Sequence, residues 1–109
     1  MMNLPFDLSG RTALVTGSNT GIGRAIALGL AAAGADVVCH CRKPGDAVDT
    51  VAAVTKLGRR GIEAAGDMAD PATPQALVDA AIGAFGQIDI VVNNAGMIRR
   101  APAAEYSGD

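Results

Sequence analysis

The chain has 109 residues, enough for one small domain, and half of them are hydrophobic. With one Tyr, two Phe and no Trp, the apolar content is Ala, Val, Ile and Leu, which suits tightly layered helices and parallel strands. A formal net charge of −2 makes no electrostatic case for nucleic acid. No apolar run approaches the ~20 residues of a membrane span, and Met1 to Gly10 carries no signal-peptide pattern; a cytoplasmic protein is the expectation.

Arg11 to Thr16 reads as the first strand. A glycine-rich turn follows and opens a helix over Gly21 to Ala33, with Ile22, Ile26, Leu30 and Ala33 on one face. Gly29 inside it implies close packing, and Gly34 is placed to end the helix. Asp36 to Cys41 is a second apolar strand, and Arg42-Lys43-Pro44-Gly45 breaks the chain. Asp46 to Leu57 reads as a helix with Asp46 as its cap and Val48, Val51, Ala52 and Val54 inward. Ile62 to Ala65 is a weak third strand. Asp70-Pro71 reads as an N-cap with proline at the first helical position. The helix behind it carries Ala76, Leu77, Ala80, Ala81, Ala84 and Phe85 and ends at Gly86; Ile88 to Val92 is the fourth strand.

Strands separated by helices argue for an α/β fold, a Rossmann-type doubly wound parallel sheet of order 3-2-1-4. Ile88, Ile90, Val91 and Val92 are apolar on both faces, as in a central strand, yet no fifth strand follows. An exposed apolar edge is one that folded proteins avoid, so these residues read as the amino-terminal part of a protein at least roughly twice as long. The alternative is that another chain covers the edge.

Cys39 and Cys41 lie two apart on a strand, point the same way and do not bridge. They read as small buried hydrophobes, and His40, on the opposite face, as a strand residue; no metal site is expected.

The spacing Gly17-x3-Gly21-x-Gly23 carries the most specific demand on backbone shape. Gly17 permits a tight turn, Gly21 lets the backbone approach phosphates, and Gly23 lets helix pack near strand. The helix N-terminus offers free N–H groups and partial positive charge to an anion. A nucleotide-hydrolase phosphate loop is disfavoured, because Gly-x4-Gly-Lys-Ser/Thr is absent.

The chain resembles the short-chain dehydrogenase/reductase family. Thr16-Gly17-Ser18-Asn19-Thr20-Gly21-Ile22-Gly23 matches its TGxxxGIG motif, Asn93-Asn94-Ala95-Gly96 its NNAG motif, and Asp67 its aspartate after the third strand. The resemblance implies a nicotinamide cofactor held by these residues, with the Asp67 carboxylate on the adenine amino group, Met68 lining the ring and Asn93 to Gly96 bordering a ribose. It also implies hydride transfer, and a dimer or tetramer built mainly through later helices. The family's catalytic Ser and Tyr-x-x-x-Lys lie downstream. Tyr106 is the only tyrosine, it reads as a residue at a helix start, and the sequence ends before the fourth position after it, so no catalytic residue is assigned in this chain.

NAD-preferring dinucleotide sites place an acid at the end of the second strand. Here that position is Cys41, and Arg42 follows. A guanidinium suits a 2′-phosphate, contributing on the order of 1.5–3 kcal/mol, or roughly ten- to a hundredfold in affinity. NADP is therefore favoured over NAD, although Thr20 stands where the family's other basic NADP cue would be.

Asn93 to Arg100, with Phe6 to Arg11 and Lys56 to Arg60, resembles the 2-deoxy-D-gluconate 3-dehydrogenase subgroup, also described as 2-dehydro-3-deoxy-D-gluconate 5-dehydrogenases. That implies a sugar-acid substrate, oxidised or reduced at a secondary alcohol or ketone. Arg99, ahead of Arg100, is the candidate for its carboxylate; both also read as solvated or as braces for an adjoining helix. Two other readings stay open, namely another short-chain reductase such as a 3-oxoacyl carrier-protein reductase, and a non-catalytic NADP-sensing protein.

Overall fold

The computed structural model describes residues 7–94. The elements run β1 (Thr12–Val15), α1 (Gly21–Ala32), β2 (Asp36–Cys41), α2 (Val48–Lys56), β3 (Gly61–Ala65), α3 (Thr73–Phe85) and β4 (Ile90–Val92). The four strands form one sheet of order β3-β2-β1-β4, parallel throughout. This is the α/β, doubly wound arrangement implied by the sequence pattern. Thr12 pairs with Asp36, Ala13 with Ile90 and Val37 with Gly61, so all four strands point their carboxyl ends at the same edge.

The sheet divides the core in two. On one face Val15, Val37, Cys39 and Cys41 pack with Ala27 and Ala31 of α1 and with Ala47 and Val54 at α2. On the other, Leu14 and Val38 pack with Leu77 and Ala81 of α3. Strand alternation explains the split: in β2 the odd positions face α1 and α2, the even positions face α3. Both cysteines are free and buried, as expected of small hydrophobes.

Helix faces are where the periodicity reading needs correction. α1 buries Gly23, Ala27 and Ala31, and Ile22 is 60% exposed. Its smallest residues form the line of closest approach to the sheet, with Ile26 and Leu30 flanking it. Gly29 is not a close-packing site, since a Cβ there would have nothing within 4 Å. α2 buries Thr50 and Val54 behind Ala47, leaving Val48 and Ala52 exposed. α3 buries Thr73, Leu77 and Ala81, leaving Ala76 and Ala84 outside.

Both expected helix caps are also replaced. Asp46 does not cap α2; the N-cap is Ala47, and the Glu63 carboxylate on β3 accepts the N–H groups of Gly45 and Ala47, each at 2.9 Å. Asp70 precedes α3 by three residues and accepts the Ala72 N–H at 2.9 Å, while the proline in the first helical turn is Pro74 rather than Pro71. β4 forms the sheet edge, and its Val91 is 61% exposed. At the amino end of the β1–β4 ladder the Asp89 carboxylate accepts the Thr12 N–H at 2.8 Å.

Candidate functional site

The carboxyl edge of the sheet gathers the sequence-predicted residues. In open α/β sheets ligands bind outside this edge, where strand order reverses. Here the reversal falls at β1, between β2 and β4.

The turn after β1 has two glycines in left-handed backbone, Gly17 at φ 59° and Gly21 at φ 58°. A side chain at either would be strained. The two differ from Gly23, whose backbone is ordinary but whose Cβ would collide with the Gly17 carbonyl and stand 2.5 Å from the Asn94 amide nitrogen. A Cβ on Gly21 would meet nothing within 4 Å, so that glycine borders open space.

Thr20 is the N-cap of α1, extended at φ −148° and ψ 167°, and it makes no side-chain capping bond. The first turn holds no acidic residue. The amides of Gly21, Ile22 and Gly23 are the donors that a helix start leaves without an intrahelical acceptor. With the helix dipole behind them they form a place for an anion.

Ser18 is fully buried beneath the turn. Its amide and hydroxyl both donate to the His40 carbonyl, at 2.9 and 3.2 Å, and its own carbonyl accepts the Thr50 hydroxyl at 2.9 Å. Its side chain therefore braces the turn from below. Asn19 and Thr20 lie on the outer part of the turn, partly exposed or exposed, unlike Ser18.

At the end of β4, the exposed Asn93 accepts the Thr16 hydroxyl at 3.3 Å. Asn94 is buried and donates to the Gly17 carbonyl at 3.1 Å. Its Oδ1 is buried without a hydrogen-bond partner among the described residues. Ala95, Gly96, Arg99 and Tyr106 lie outside the described residues.

At the end of β2 the Cys41 thiol is fully buried and donates to the Lys43 carbonyl at 3.1 Å. It presents neither charge nor hydroxyl to the crevice. Arg42 beside it is exposed, and its guanidinium lies 3.6 Å from the Asp67 carboxylate past the end of β3. Asp67 is not a spare group awaiting a partner: its Oδ1 also accepts the Ala69 N–H at 2.8 Å, and its carbonyl accepts the Thr73 hydroxyl at 2.7 Å. Met68, next along, is partly buried against Leu14, Val38, Leu77 and Ala81.

Three residues that bear on the site carry no motif: His40, Thr50 and Glu63. His40 is buried, its Nδ1 accepting the Gly17 N–H at 2.9 Å and its Nε2 meeting the Gly66 carbonyl at 2.8 Å. The signal in the sequence is a polar side chain within a mostly apolar strand or helix face: His40 among the valines and cysteines of β2, Glu63 in β3, and Thr50 beside Val51 and Val54 of α2.

The geometry agrees with the family comparison. Residues 11–109 match the short chain dehydrogenase family. The chain belongs to that family. Its relatives include the 2-dehydro-3-deoxy-D-gluconate 5-dehydrogenase of Dickeya dadantii, 46% identical over 103 residues, covering 94% of this chain and 40% of that protein. The L-rhamnose 1-dehydrogenase (NAD(P)(+)) of a Sphingomonas species is 48% identical over 91 residues, covering 83% of this chain and 36% of that one. Among solved structures, a short chain dehydrogenase from Burkholderia cenocepacia in complex with NADP superposes with a TM-score of 0.78 at 46% identity, over 90% of this chain and 40% of that one. This short-chain dehydrogenase chain thus spans about two fifths of the length of such relatives. No helix among its described residues is long and apolar enough to cross a membrane.

Proposed function

We propose that these residues form the dinucleotide-binding part of an NAD(P)-dependent oxidoreductase that moves a hydride to or from a secondary alcohol or ketone of a sugar acid. The observation that carries the reading is the start of α1. Two left-handed glycines, no capping side chain and no acidic residue leave its amides open, beside a glycine with free space above it. A pyrophosphate satisfies such donors.

NADP fits this chain's residues better than NAD. The position that would carry a ribose-binding acid is a buried thiol, and the exposed guanidinium of Arg42 stands next to it. When bound, the cofactor supplies the hydride chemistry. Gly21, Ile22 and Gly23 would hold its phosphates, Arg42 its 2′-phosphate, Asp67 and Met68 its adenine end, and the Asn93 to Gly96 stretch its ribose. Arg99 is proposed to meet the carboxylate of the substrate.

The sugar-acid reading rests on the named relatives and on the resemblance of the Asn93 to Arg100 stretch. A dimeric or tetrameric assembly of the whole protein is proposed on the same ground. The test is calorimetric titration with NADP and NAD, followed by a substrate panel read by nicotinamide absorbance. The reading expects NADP to bind more tightly and sugar acids to outrun neutral sugars and acyl thioesters. Failure to bind either dinucleotide refutes it, and turnover confined to acyl thioesters refutes the substrate class.

A further inference from the structure

His40 occupies an even position of β2, inside the sheet and on the α3 face, where its neighbour Val38 is apolar. The ring is buried at 3% exposure, yet both of its nitrogens are used. The Gly17 N–H points at Nδ1 across 2.9 Å, so Nδ1 is the acceptor and carries no proton. The proton of the neutral imidazole is then on Nε2, which donates to the Gly66 carbonyl at 2.8 Å. One tautomer satisfies both partners. The backbone of the same residue takes two further bonds, from the amide and hydroxyl of Ser18.

We propose that His40 is a positioning residue for dinucleotide binding, tying the phosphate-binding turn to the loop that carries Asp67; this rests on the function proposed above. Gly17 and Ser18 spend their amides on His40, so neither of those two donors is open to a phosphate. The ring fixes the height of Gly17 over the sheet, and with it the direction in which Gly21, Ile22 and Gly23 present their N–H groups. Gly66 precedes Asp67 directly, so the adenine side is held in the same lattice. His40 touches neither end of the ligand. Its effect is to keep the two half-sites in register.

Because the turn contacts what NAD and NADP share, loss of the ring weakens both by the same factor. The experiment measures Kd for each dinucleotide in the intact protein, well below the unfolding temperature, for wild type, His40→Ala and His40→Asn. The expected result is a roughly three- to tenfold loss for the alanine variant, equal for NAD and NADP. The asparagine variant recovers part of it, because its amide oxygen also accepts an N–H. Nitrogen-15 spectra of wild type without ligand are expected to show the proton on Nε2 alone, with the Gly17 amide hydrogen-bonded.

Unchanged Kd values in His40→Ala with binding intact in wild type overturn this inference and leave the proposed function standing. Equal weakening by the alanine and asparagine variants, or a proton on Nδ1, overturns it as well. A wild type that binds neither dinucleotide overturns both readings. Should His40→Ala fail to fold, the asparagine variant and the wild-type spectra still decide.

Discussion

The guanidinium of Arg42 and the carboxylate of Asp67 join the ends of β2 and β3 across 3.6 Å, with both side chains largely exposed. An exposed pair of this kind contributes about 0–1 kcal/mol, less in salt. It is therefore easily exchanged for a better partner, and a 2′-phosphate is one. Arg42→Asp is expected to leave stability within about 0.5 kcal/mol of wild type. It should lower the NADP-to-NAD affinity ratio by roughly ten- to a hundredfold. Equilibrium titrations of both dinucleotides check this, and an unaltered ratio would remove Arg42 from the site.

Gly21 and Gly23 separate binding from folding. At Gly21 a methyl group finds open space but a left-handed backbone, at a cost of about 1 kcal/mol. Gly21→Ala is expected to fold and to lose most dinucleotide affinity, since its methyl occupies the space proposed for phosphate. At Gly23 the methyl strikes the Gly17 carbonyl and crowds Asn94. Gly23→Ala is expected to lose about 3 kcal/mol of stability, the upper end for overpacked sites, because the methyl meets backbone rather than a flexible side chain. Denaturant melts and binding isotherms on the two variants give opposite patterns; equal loss of stability in both would contradict the geometry.

Strand order and the position of the glycine turn were legible in the sequence because each rests on a strong local demand. Short β-rich runs need a sheet, and a turn with left-handed backbone at 17 and 21 needs glycine there. Helix orientation was less legible. Ile22 reads as core by spacing, but the line of closest approach in α1 runs through Gly23, Ala27 and Ala31, where small size rather than hydropathy decides. The cap of α2 was invisible for another reason. Its acceptor, Glu63, comes from a strand 16 residues beyond Ala47, and no local pattern connects them. His40 was read as a strand residue, which it is; its two side-chain bonds depend on the meeting of three separate segments.

The Glu63 carboxylate gives the acid limb of stability a definite sign. Hydrogen bonds from the Gly45 and Ala47 amides hold its carboxyl below the ordinary range. Asp36 behaves alike: burial pushes its carboxyl up, but the Arg60 side chain and amide, with the charges of Arg60 and Arg59, bring it down further. A carboxylate with a depressed native pKa contributes stability above its ordinary value and loses it as pH falls through the native one. Stability is thus expected to be flat in this respect above the ordinary carboxylate range and to fall below it. Glu63→Gln should lower neutral-pH stability by about 0.5–1 kcal/mol, as lost caps do, and flatten the acid limb. Urea melts at several pH values test this; an acid limb as steep as that of wild type would mean Glu63 contributes nothing.

Cys39 and Cys41 test whether the α1 and α2 face of the sheet is closed. Both side chains are fully buried, and burial pushes the Cys39 thiol up to about 11 and raises Cys41 as well. Only the thiolate attacks a disulfide reagent at an appreciable rate. At pH 8 the native protein therefore offers neither the ionised sulfur nor the access. No labelling is expected on the timescale in which a free thiol reacts fully, and both cysteines should label once denaturant is added. Cys39→Ala empties part of the space between β2 and the helices and should cost about 1–2 kcal/mol. Rapid labelling of the native protein would show that this face opens far below the global unfolding energy. The turn braced by Thr50 of α2 would then rest on a mobile layer, and the rigid presentation of the α1 amides would fail with it.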